Sequence, residues 1–335
     1  MGEGSTDTPE RGGHGRGGHV PVLLKEAIDF LAIRRGGTYI DATVGLGGHS
    51  YEIAKRLGAQ GRLIGVDKDP AALQIARQVV SRKSQVASEN LDVGEATGVL
   101  ARRDESQSDW PTIELRHGSF ADFADDRRLT TDDLKADGIL ADLGVSSLQL
   151  DDAARGFSFQ AEGPLDMRMN PQSGETAEQV VNQADEVTLA NLIYEFGEER
   201  RSRRIARAIV RSRPIRTTAQ LADVVSAAAR PMNPAERRIH PATRTFQALR
   251  IFVNRELDDL RGLLGAVPHL LKPGGRLVVI SFHSLEDRIV KDALRDGVKQ
   301  GHYRLLTKKP VTATEEEIDR NPRSRSAKLR AAEKI

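Results

Sequence analysis

Residues 38–50 combine a carboxylate with three closely spaced glycines, a pattern that suits backbone contacts to a bound ligand. A short apolar run ends at Asp41, and a turn with Gly45, Gly47 and Gly48 leads to a helical pattern near Ser50. Glycine lets the backbone turn tightly and approach a ligand, because no Cβ stands in the way. The stretch therefore predicts the first strand, turn and helix of a nucleotide-binding α/β sheet.

A second carboxylate, Asp67, ends the apolar run 62–67 and follows Gly47 by about 20 residues. In nucleotide-binding sheets, an acid at this distance accepts hydrogen bonds from ribose hydroxyls. We therefore predict that Asp67 binds a ribose, with a simple strand-end cap as the alternative.

A third carboxylate, Asp142, lies near the carboxyl end of a strand predicted within residues 138–147. Ligands of open α/β sheets bind outside the carboxyl ends of the strands, so we expect Asp41, Asp67 and Asp142 on one rim. Phe120 follows the predicted third strand, where it could stack on an adenine ring or pack in the core. His283 follows a fifth strand predicted over residues 271–281, and Ser284 is predicted to cap a helix over 285–294.

The elements that must position these residues form two kinds of structure. Helical periodicity without strand-like alternation predicts an inserted all-helical domain over residues 151–241. Residues 19–150 and 242–335 then form the sheet domain, with one long helix over 243–264 and an antiparallel pair of strands within 303–312 and 327–335. A helix over 70–80 precedes a predicted surface insertion loop at 81–111, and residues 1–18 read as a disordered tail.

Arginines are concentrated in the predicted helical domain. Residues 198–216 carry eight arginines against two glutamates, a local charge of +6. Helical spacing predicts one face with Arg200, Arg204, Arg207 and Arg211. We interpret it as an RNA phosphate-binding face, with an ordinary solvated face as the alternative. Near the C-terminus a weaker basic patch comprises Arg323, Arg325, Lys328 and Arg330.

Composition limits the remaining possibilities. The chain has no cysteine, which excludes disulfides and thiolate metal sites and suits a cytoplasmic protein. No apolar run approaches the roughly 20 residues needed to cross a bilayer, so no membrane role is expected. The net charge is only +2, so the local distribution of charge carries the information.

Several longer motifs resemble one bacterial family, the MraW/RsmH 16S ribosomal RNA cytosine N4-methyltransferases. The resemblance covers nearly everything from His19 onward. Its motifs are His19–Glu26, Asp41–His49, Asp142–Asp151, Arg155–Phe159, Gly163–Met169, His240–Arg250, Phe282–Arg288 and Asn321–Arg330.

This resemblance implies a class I (Rossmann-like) S-adenosylmethionine-dependent methyltransferase fold, with a seven-stranded sheet and the helical insertion. It implies methylation of a cytosine in the P-site decoding region of the small ribosomal subunit, with 16S rRNA as partner; a homodimer stays open. The family's cofactor contacts carry over onto Gly47, Gly48, His49, Asp67, Phe120, Asp142 and Gln149.

Methyl transfer to an amine is an in-line displacement that requires no metal. The enzyme must align the acceptor nitrogen and accept its protons by hydrogen bonds. Other amino-group methyltransferases place an (Asp/Asn/Ser)-Pro-Pro-aromatic sequence after the fourth strand, but here Asp142 is followed by Leu-Gly-Val. We therefore predict Asp142 as the first acceptor candidate and His283 as the second.

Three other functions remain open from the residues. A small-molecule methyltransferase would use the same rim but leave the arginine helix without a role. A nicotinamide oxidoreductase is disfavoured, because its glycine loop reads G-x-G-x-x-G. An RNA-binding assembly factor that retains the cofactor fold would bind RNA without transferring a methyl group.

Overall fold

The computed structural model describes residues 21–89, 109–121, 135–229 and 240–335. The predicted tail 1–18 and most of the predicted insertion loop, residues 90–108, lie outside the described residues.

Seven strands form one mixed sheet in the order β3-β2-β1-β4-β5-β7-β6. The first five strands along the chain pair in parallel, and β7 pairs antiparallel with both β5 and β6. The predicted α/β fold with a seven-stranded sheet is thereby confirmed. The strands are β1 (Thr38–Asp41), β2 (Arg62–Asp67), β3 (Thr112–His117), β4 (Ala136–Asp142), β5 (Leu271–Ser281), β6 (Tyr303–Leu305) and β7 (Lys328–Lys334).

Helices cover the sheet and form most of the segment between β4 and β5. Two further short segments among the described residues, Ala153–Arg155 and Pro322–Ser326, are 3-10 helices. The α-helices are α1 (Leu24–Leu31), α2 (Gly48–Leu57), α3 (Pro70–Glu89), α4 (Ser147–Asp151), α5 (Ala177–Gln183), α6 (Glu186–Gly197), α7 (Ser202–Arg211), α8 (Thr218–Ala228), α9 (Thr243–Asn254), α10 (Glu256–Leu270), α11 (Ser284–Lys299) and α12 (Glu315–Arg320).

The buried apolar residues separate into the sheet's two faces and a helical core. Val66 and Leu260 belong to the core of one face, and Leu63 and Ile280 to that of the other. The helical core includes Ile205 and extends into α9, where Phe246 and Leu249 are buried. Helix α9 therefore joins the helical part to the sheet. The domain boundary at residue 241 stays a prediction.

Three predicted element boundaries are wrong. Helix α3 does not end at Val80 but continues to Glu89, so residues 81–89 are helical rather than part of a loop. The predicted long helix 243–264 is broken at Arg255, whose φ of 52° is left-handed, into α9 and α10. Helix α11 is capped by His283 rather than Ser284 and continues to Lys299 instead of ending at Leu294.

The described helices include none with the length and apolar character needed to cross a membrane.

Candidate active site

One pocket opens at the carboxyl ends of the parallel strands, where the three rim carboxylates were expected. Its wall follows the sheet order, from Phe120 after β3 and Asp67 at the end of β2 to Asp142 on β4 and Phe282 after β5. Six of the seven predicted cofactor-binding residues line this pocket, although they are far apart in sequence. They are Gly48, His49, Asp67, Phe120, Asp142 and Gln149.

The glycine turn is shaped by Gly47, the seventh predicted contact, which caps α2 and does not itself line the pocket. Its φ of 85° lies in the left-handed region that favours glycine, and an added Cβ would come within 3.2 Å of Ala76. Gly47 therefore permits the turn that brings its neighbours Gly48 and His49 to the pocket wall.

Asp41 lies beneath the turn and is fully buried. Its carboxylate accepts hydrogen bonds from Ser50 Oγ at 2.6 Å and from the Thr43 N–H at 3.2 Å. Burial raises the pKa of Asp41 to about 6, although both hydrogen bonds oppose the shift. Asp41 thus joins the end of β1 to the first turn of α2 and does not line the pocket.

Asp67 lines the pocket and also holds the glycine turn. One carboxylate oxygen accepts a hydrogen bond from the Gly45 N–H at 2.7 Å, and the other accepts one from the Asp69 N–H at 2.8 Å. Burial raises the pKa of Asp67 to about 6. Because each oxygen has two lone pairs, the group can still accept hydrogen bonds from a ribose.

Asp142 differs from the other two rim carboxylates in having an oxygen that no described residue contacts by a hydrogen bond. Its Oδ2 lies 3.5 Å from His49 Nδ1, whereas its buried Oδ1 has no hydrogen-bond partner among the described residues. Burial raises the pKa of Asp142 well above its ordinary value, and the carboxylates of Asp41 and Glu286 add to the shift. A buried acceptor oxygen without a donor is costly, so this atom is suited to a ligand N–H.

His49 is positioned to orient Asp142. The imidazole is buried, and its Nε2 lies 3.1 Å from the carbonyl oxygen of Val22. Because a carbonyl oxygen only accepts, Nε2 is the donor to Val22, and Nδ1, 3.5 Å from Asp142 Oδ2, can donate to that carboxylate only when the imidazole carries both protons. The predicted cofactor residue His49 therefore has a second contact, with the predicted acceptor.

Gln149 is committed to holding the loop after β4. Its Oε1 accepts a hydrogen bond from the Ser146 N–H at 2.9 Å, and its Nε2 donates to Asp69 Oδ2 at 2.9 Å. Arg155 Nη1 donates to the same Asp69 oxygen at 2.8 Å. Gln149 thus joins the loops after β2 and β4, and a second amide N–H remains to contact a ligand.

His283, the second predicted acceptor, acts as the N-cap of α11 and does not line the pocket. Its Nδ1 accepts a hydrogen bond from the Glu286 N–H, and its Nε2 lies 3.1 Å from Glu286 Oε1. Burial alone would raise the pKa of Glu286, but His283 and Arg250 hold it below its ordinary value. These contacts favour a structural role for His283. A catalytic role for His283 stays a prediction, and it has less support than the catalytic role predicted for Asp142.

Ligand atoms of Glu256, His283 and Glu286 lie within 4.8 Å of one another, close enough to hold a metal ion. However, Arg250 forms a bidentate pair with Glu256, with both N–O distances at 2.8 Å. A guanidinium already balances the negative charge there, so we interpret the cluster as an ion-pair network that supports the end of β5.

Comparison with known proteins places these features in a family. A model of the MraW methylase family matches residues 16–335. The chain belongs to the MraW methylase family.

Two curated members illustrate the similarity. A protein of Koribacter versatilis is 69% identical over 314 residues, covering 94% of this chain and 93% of its own. A protein of Acidobacterium capsulatum is 61% identical over 316 residues, covering 94% and 98%. Both relatives are named ribosomal RNA small subunit methyltransferase H.

The cofactor role of Asp67 in this methylase is testable by substitution. We expect Asp67→Ala to weaken binding of S-adenosylhomocysteine about 10- to 100-fold, because hydrogen bonds to a charged group contribute about 1.5–3 kcal/mol. Isothermal titration calorimetry measures the affinity, and thermal unfolding of the ligand-free variant checks the fold. Unchanged affinity would remove Asp67 from the cofactor site.

The ionised form of Asp142 should also lower the stability of the folded protein. The pKa of Asp142 is raised in the folded protein, so the fold binds a proton more tightly than the unfolded chain, and stability falls as pH rises above about 4. We expect Asp142→Asn to unfold at a higher temperature than the unmodified protein, by a margin that grows from pH 5 to pH 8. Thermal unfolding without ligand measures this difference. A lower unfolding temperature throughout would contradict it.

Three of the four arginines predicted on one helical face lie on a helix in the structure. Arg204, Arg207 and Arg211 are exposed on α7, whereas Ile205 and Ile209 face the helical core. Arg200 is exposed but precedes the helix, so its predicted place on the helical face is wrong. The helix starts at Ser202 because Glu198, in a left-handed conformation, ends α6 and the Glu199 carboxylate accepts a hydrogen bond from the Arg201 N–H.

Arg207 and Arg213 of the arginine segment have partners within the protein. Arg207 Nε lies 3.2 Å from Glu186 Oε1 in an exposed pair. Arg213 donates hydrogen bonds to the carbonyl oxygens of Val181 and Ala184. Arg213 is therefore a structural residue of the helical part.

Among the residues of the pocket wall that sequence reasoning did not predict as site residues are Phe282, Glu286, Asn321 and Arg323. Phe282 follows β5, so the same reasoning that placed Asp142 on the rim would have found it. Asn321 and Arg323 belong to a family motif, and Arg323 to the predicted basic patch, but neither signal placed them at the pocket. They come from the segment before β7 and reach the pocket only through tertiary packing.

Proposed function

We propose that this protein transfers a methyl group from S-adenosylmethionine to N4 of a cytosine in the P-site region of 16S rRNA. The observation that carries the proposal is the buried Asp142 Oδ1, an acceptor atom of the pocket wall that has no hydrogen-bond partner among the described residues. The names of the two relatives support ribosomal RNA of the small subunit as the substrate.

The strand order supports an arrangement of the two substrates along the rim. The adenosine part of the cofactor fits the end with Asp67 and Phe120, where a ribose acceptor and an aromatic ring lie together. The methionine part fits beside Gly48 and His49. Asp142, Phe282 and Glu286 remain at the other end, and we assign this end to the cytosine.

When bound, the cofactor supplies an electrophilic methyl group. The cytosine must leave its stack to reach it, because an enzyme cannot reach its target atom on a base that stays within a stacked helix. Phe282 offers a ring against which the base can stack. Asp142 Oδ1 then accepts a hydrogen bond from the N4 amine, which becomes more nucleophilic and can lose its proton to the carboxylate.

His49 affects the orientation of the Asp142 carboxylate, and Glu286 affects its proton affinity. The imidazole lies beside Oδ2 and orients the carboxylate, leaving Oδ1 directed to the substrate. The negative charge of Glu286 raises the proton affinity of Asp142. A carboxylate of raised proton affinity is a better acceptor for a proton leaving an amine.

The exposed arginines of α7 support the RNA part of the proposal, because several positive charges on one helical face suit a phosphate backbone. We infer that the protein acts in the cytoplasm, because such an enzyme must meet ribosomal particles.

The decisive experiment is transfer of a tritiated methyl group to small ribosomal subunits from a bacterial strain that lacks the enzyme, followed by nucleoside analysis. N4-methylcytidine at one 16S site is expected. Methylation of free cytidine at a comparable rate would favour a small-molecule methyltransferase, and binding of RNA without methyl incorporation would favour an assembly factor.

A further inference from the structure

The fold places the four residues of the basic patch predicted near the C-terminus in different surroundings. Lys328 and Arg330 both pair with Asp287, and Arg330 is buried. Arg325 is exposed and does not line the pocket. Arg323 is the member of this patch that reaches the pocket wall.

The backbone that carries Arg323 is firmly held. Ser324 is fully buried, and its hydroxyl donates a hydrogen bond to the Asn321 carbonyl oxygen at 2.8 Å. The preceding helix α12 is tied to the start of the described chain, where the Leu23 N–H donates to Glu317 Oε1 at 2.7 Å. These contacts therefore hold the backbone at Arg323 in place at the pocket wall.

The guanidinium is oriented by the loop after β4. Arg323 Nη2 donates a hydrogen bond to Asp151 Oδ1 at 2.6 Å, and Nη1 donates to Ser147 Oγ. Both side chains of the ion pair are substantially exposed, at 41% for Arg323 and 69% for Asp151. Exposed pairs of this kind contribute little to stability, so the pair chiefly sets the direction of the guanidinium.

We propose that Arg323 binds the phosphodiester next to the methylated cytidine. The inference rests on the proposed function: a base that enters the pocket leaves its phosphate at the mouth. Arg323 lies with Ser147 on the side of the wall formed by the β4 loop, beside the end assigned to the cytosine. A guanidinium has five N–H donors, and two of its nitrogens are oriented by protein oxygens, so further N–H groups are left for phosphate oxygens.

The same cation could instead bind another anion of similar chemistry, the carboxylate of the cofactor's methionine part. The glycine turn assigned to that part follows β1, whereas the residues that orient Arg323 follow β4. We therefore favour the RNA phosphate, and the experiment must separate the two anions.

The test compares Arg323→Ala with Arg325→Ala, a matched loss of one positive charge two residues away and outside the pocket wall. Affinity for 16S rRNA is measured in the presence of S-adenosylhomocysteine over a range of salt concentrations. We expect Arg323→Ala to lower RNA affinity about tenfold and to reduce the log–log salt slope by about 0.7–0.9. Arg325→Ala should change the affinity less than about twofold.

Two further measurements make the result specific. Arg323→Lys keeps the charge but loses the planar fork, so it should retain the salt slope and recover only part of the affinity. Calorimetry with S-adenosylhomocysteine should give unchanged affinity for every variant. Weakened cofactor binding with normal RNA affinity would assign Arg323 to the carboxylate and overturn the proposal.

Equal losses in Arg323→Ala and Arg325→Ala would also overturn it, because they would indicate a general charge effect. This outcome is distinct from failure of the proposed function, which would appear as RNA binding by the unmodified protein without N4-methylcytidine in the product.

Discussion

Asp142→Asn is expected to lower the single-turnover rate of methyl transfer about 10²-fold at saturating cofactor, while the affinity for S-adenosylhomocysteine changes much less. The substitution keeps the shape of the side chain but removes its charge and its ability to take a proton. The lost interaction strengthens as the N4 amine becomes positive, so it acts mainly in the transition state.

The pH dependence offers a second measurement of the same group. Only the ionised carboxylate can accept the proton, and the pKa of Asp142 is raised by burial and by Asp41 and Glu286. The rate of the unmodified protein should therefore rise with pH through this raised pKa, and Asp142→Asn should lack that rise. Asp258→Asn, which changes a carboxylate that is 63% exposed and outside this pocket, is the matched control.

A normal rate in Asp142→Asn, with only cofactor binding weakened, would make Asp142 a binding residue. The search for the acceptor would then move to His283 and to backbone carbonyl oxygens of the pocket wall.

Reversing the charges of Arg204 and Arg207 to glutamate should weaken binding to 16S rRNA by at least about tenfold at moderate salt. Each lost phosphate contact should reduce the log–log salt slope by about 0.7–0.9. Both side chains are exposed on α7, so the fold and the cofactor affinity should be unchanged. Filter binding over a salt series measures the slope, and calorimetry measures the cofactor affinity.

The control for this pair is charge reversal of Arg295 and Lys299, two exposed residues of α11. It changes the net charge of the protein by the same amount at a different place. Equal losses of RNA affinity in the two double variants would return α7 to the interpretation of an ordinary solvated face.

Much of the pocket could be predicted because parallel strands present their carboxyl ends on one edge. Asp41, Asp67 and Asp142 were expected on one rim from strand ends alone, and Asp67 and Asp142 line one pocket. The three acids nevertheless have different surroundings. Asp41 is held by Ser50 and Thr43, whereas Asp142 keeps one oxygen without a partner among the described residues. Strand ends do not encode this difference, because it depends on which side chains of other elements come near.

Several features could not be read from local patterns. The break at Arg255 interrupts a continuous helical pattern with a residue that favours helix, and it puts Glu256 of α10 on the pocket wall. Asn254, the last residue of α9, explains how the break is held. Its side chain accepts a hydrogen bond from the Met169 N–H and donates to the Met167 carbonyl oxygen.

The sequence alone determined the sheet, its inserted helices and the family, because strand periodicity, glycine turns and long motifs are local properties of the chain. It also placed basic charge on α7, since helical spacing separates arginines from apolar residues. Tertiary structure decided which charged groups are available. Packing buried Arg330 against Asp287, committed His283 to capping α11, and brought Arg323 to the pocket beside Asp151. The physical reason is that the proton affinity and contacts of a charged group depend on burial and on partners distant in sequence, which no local pattern specifies.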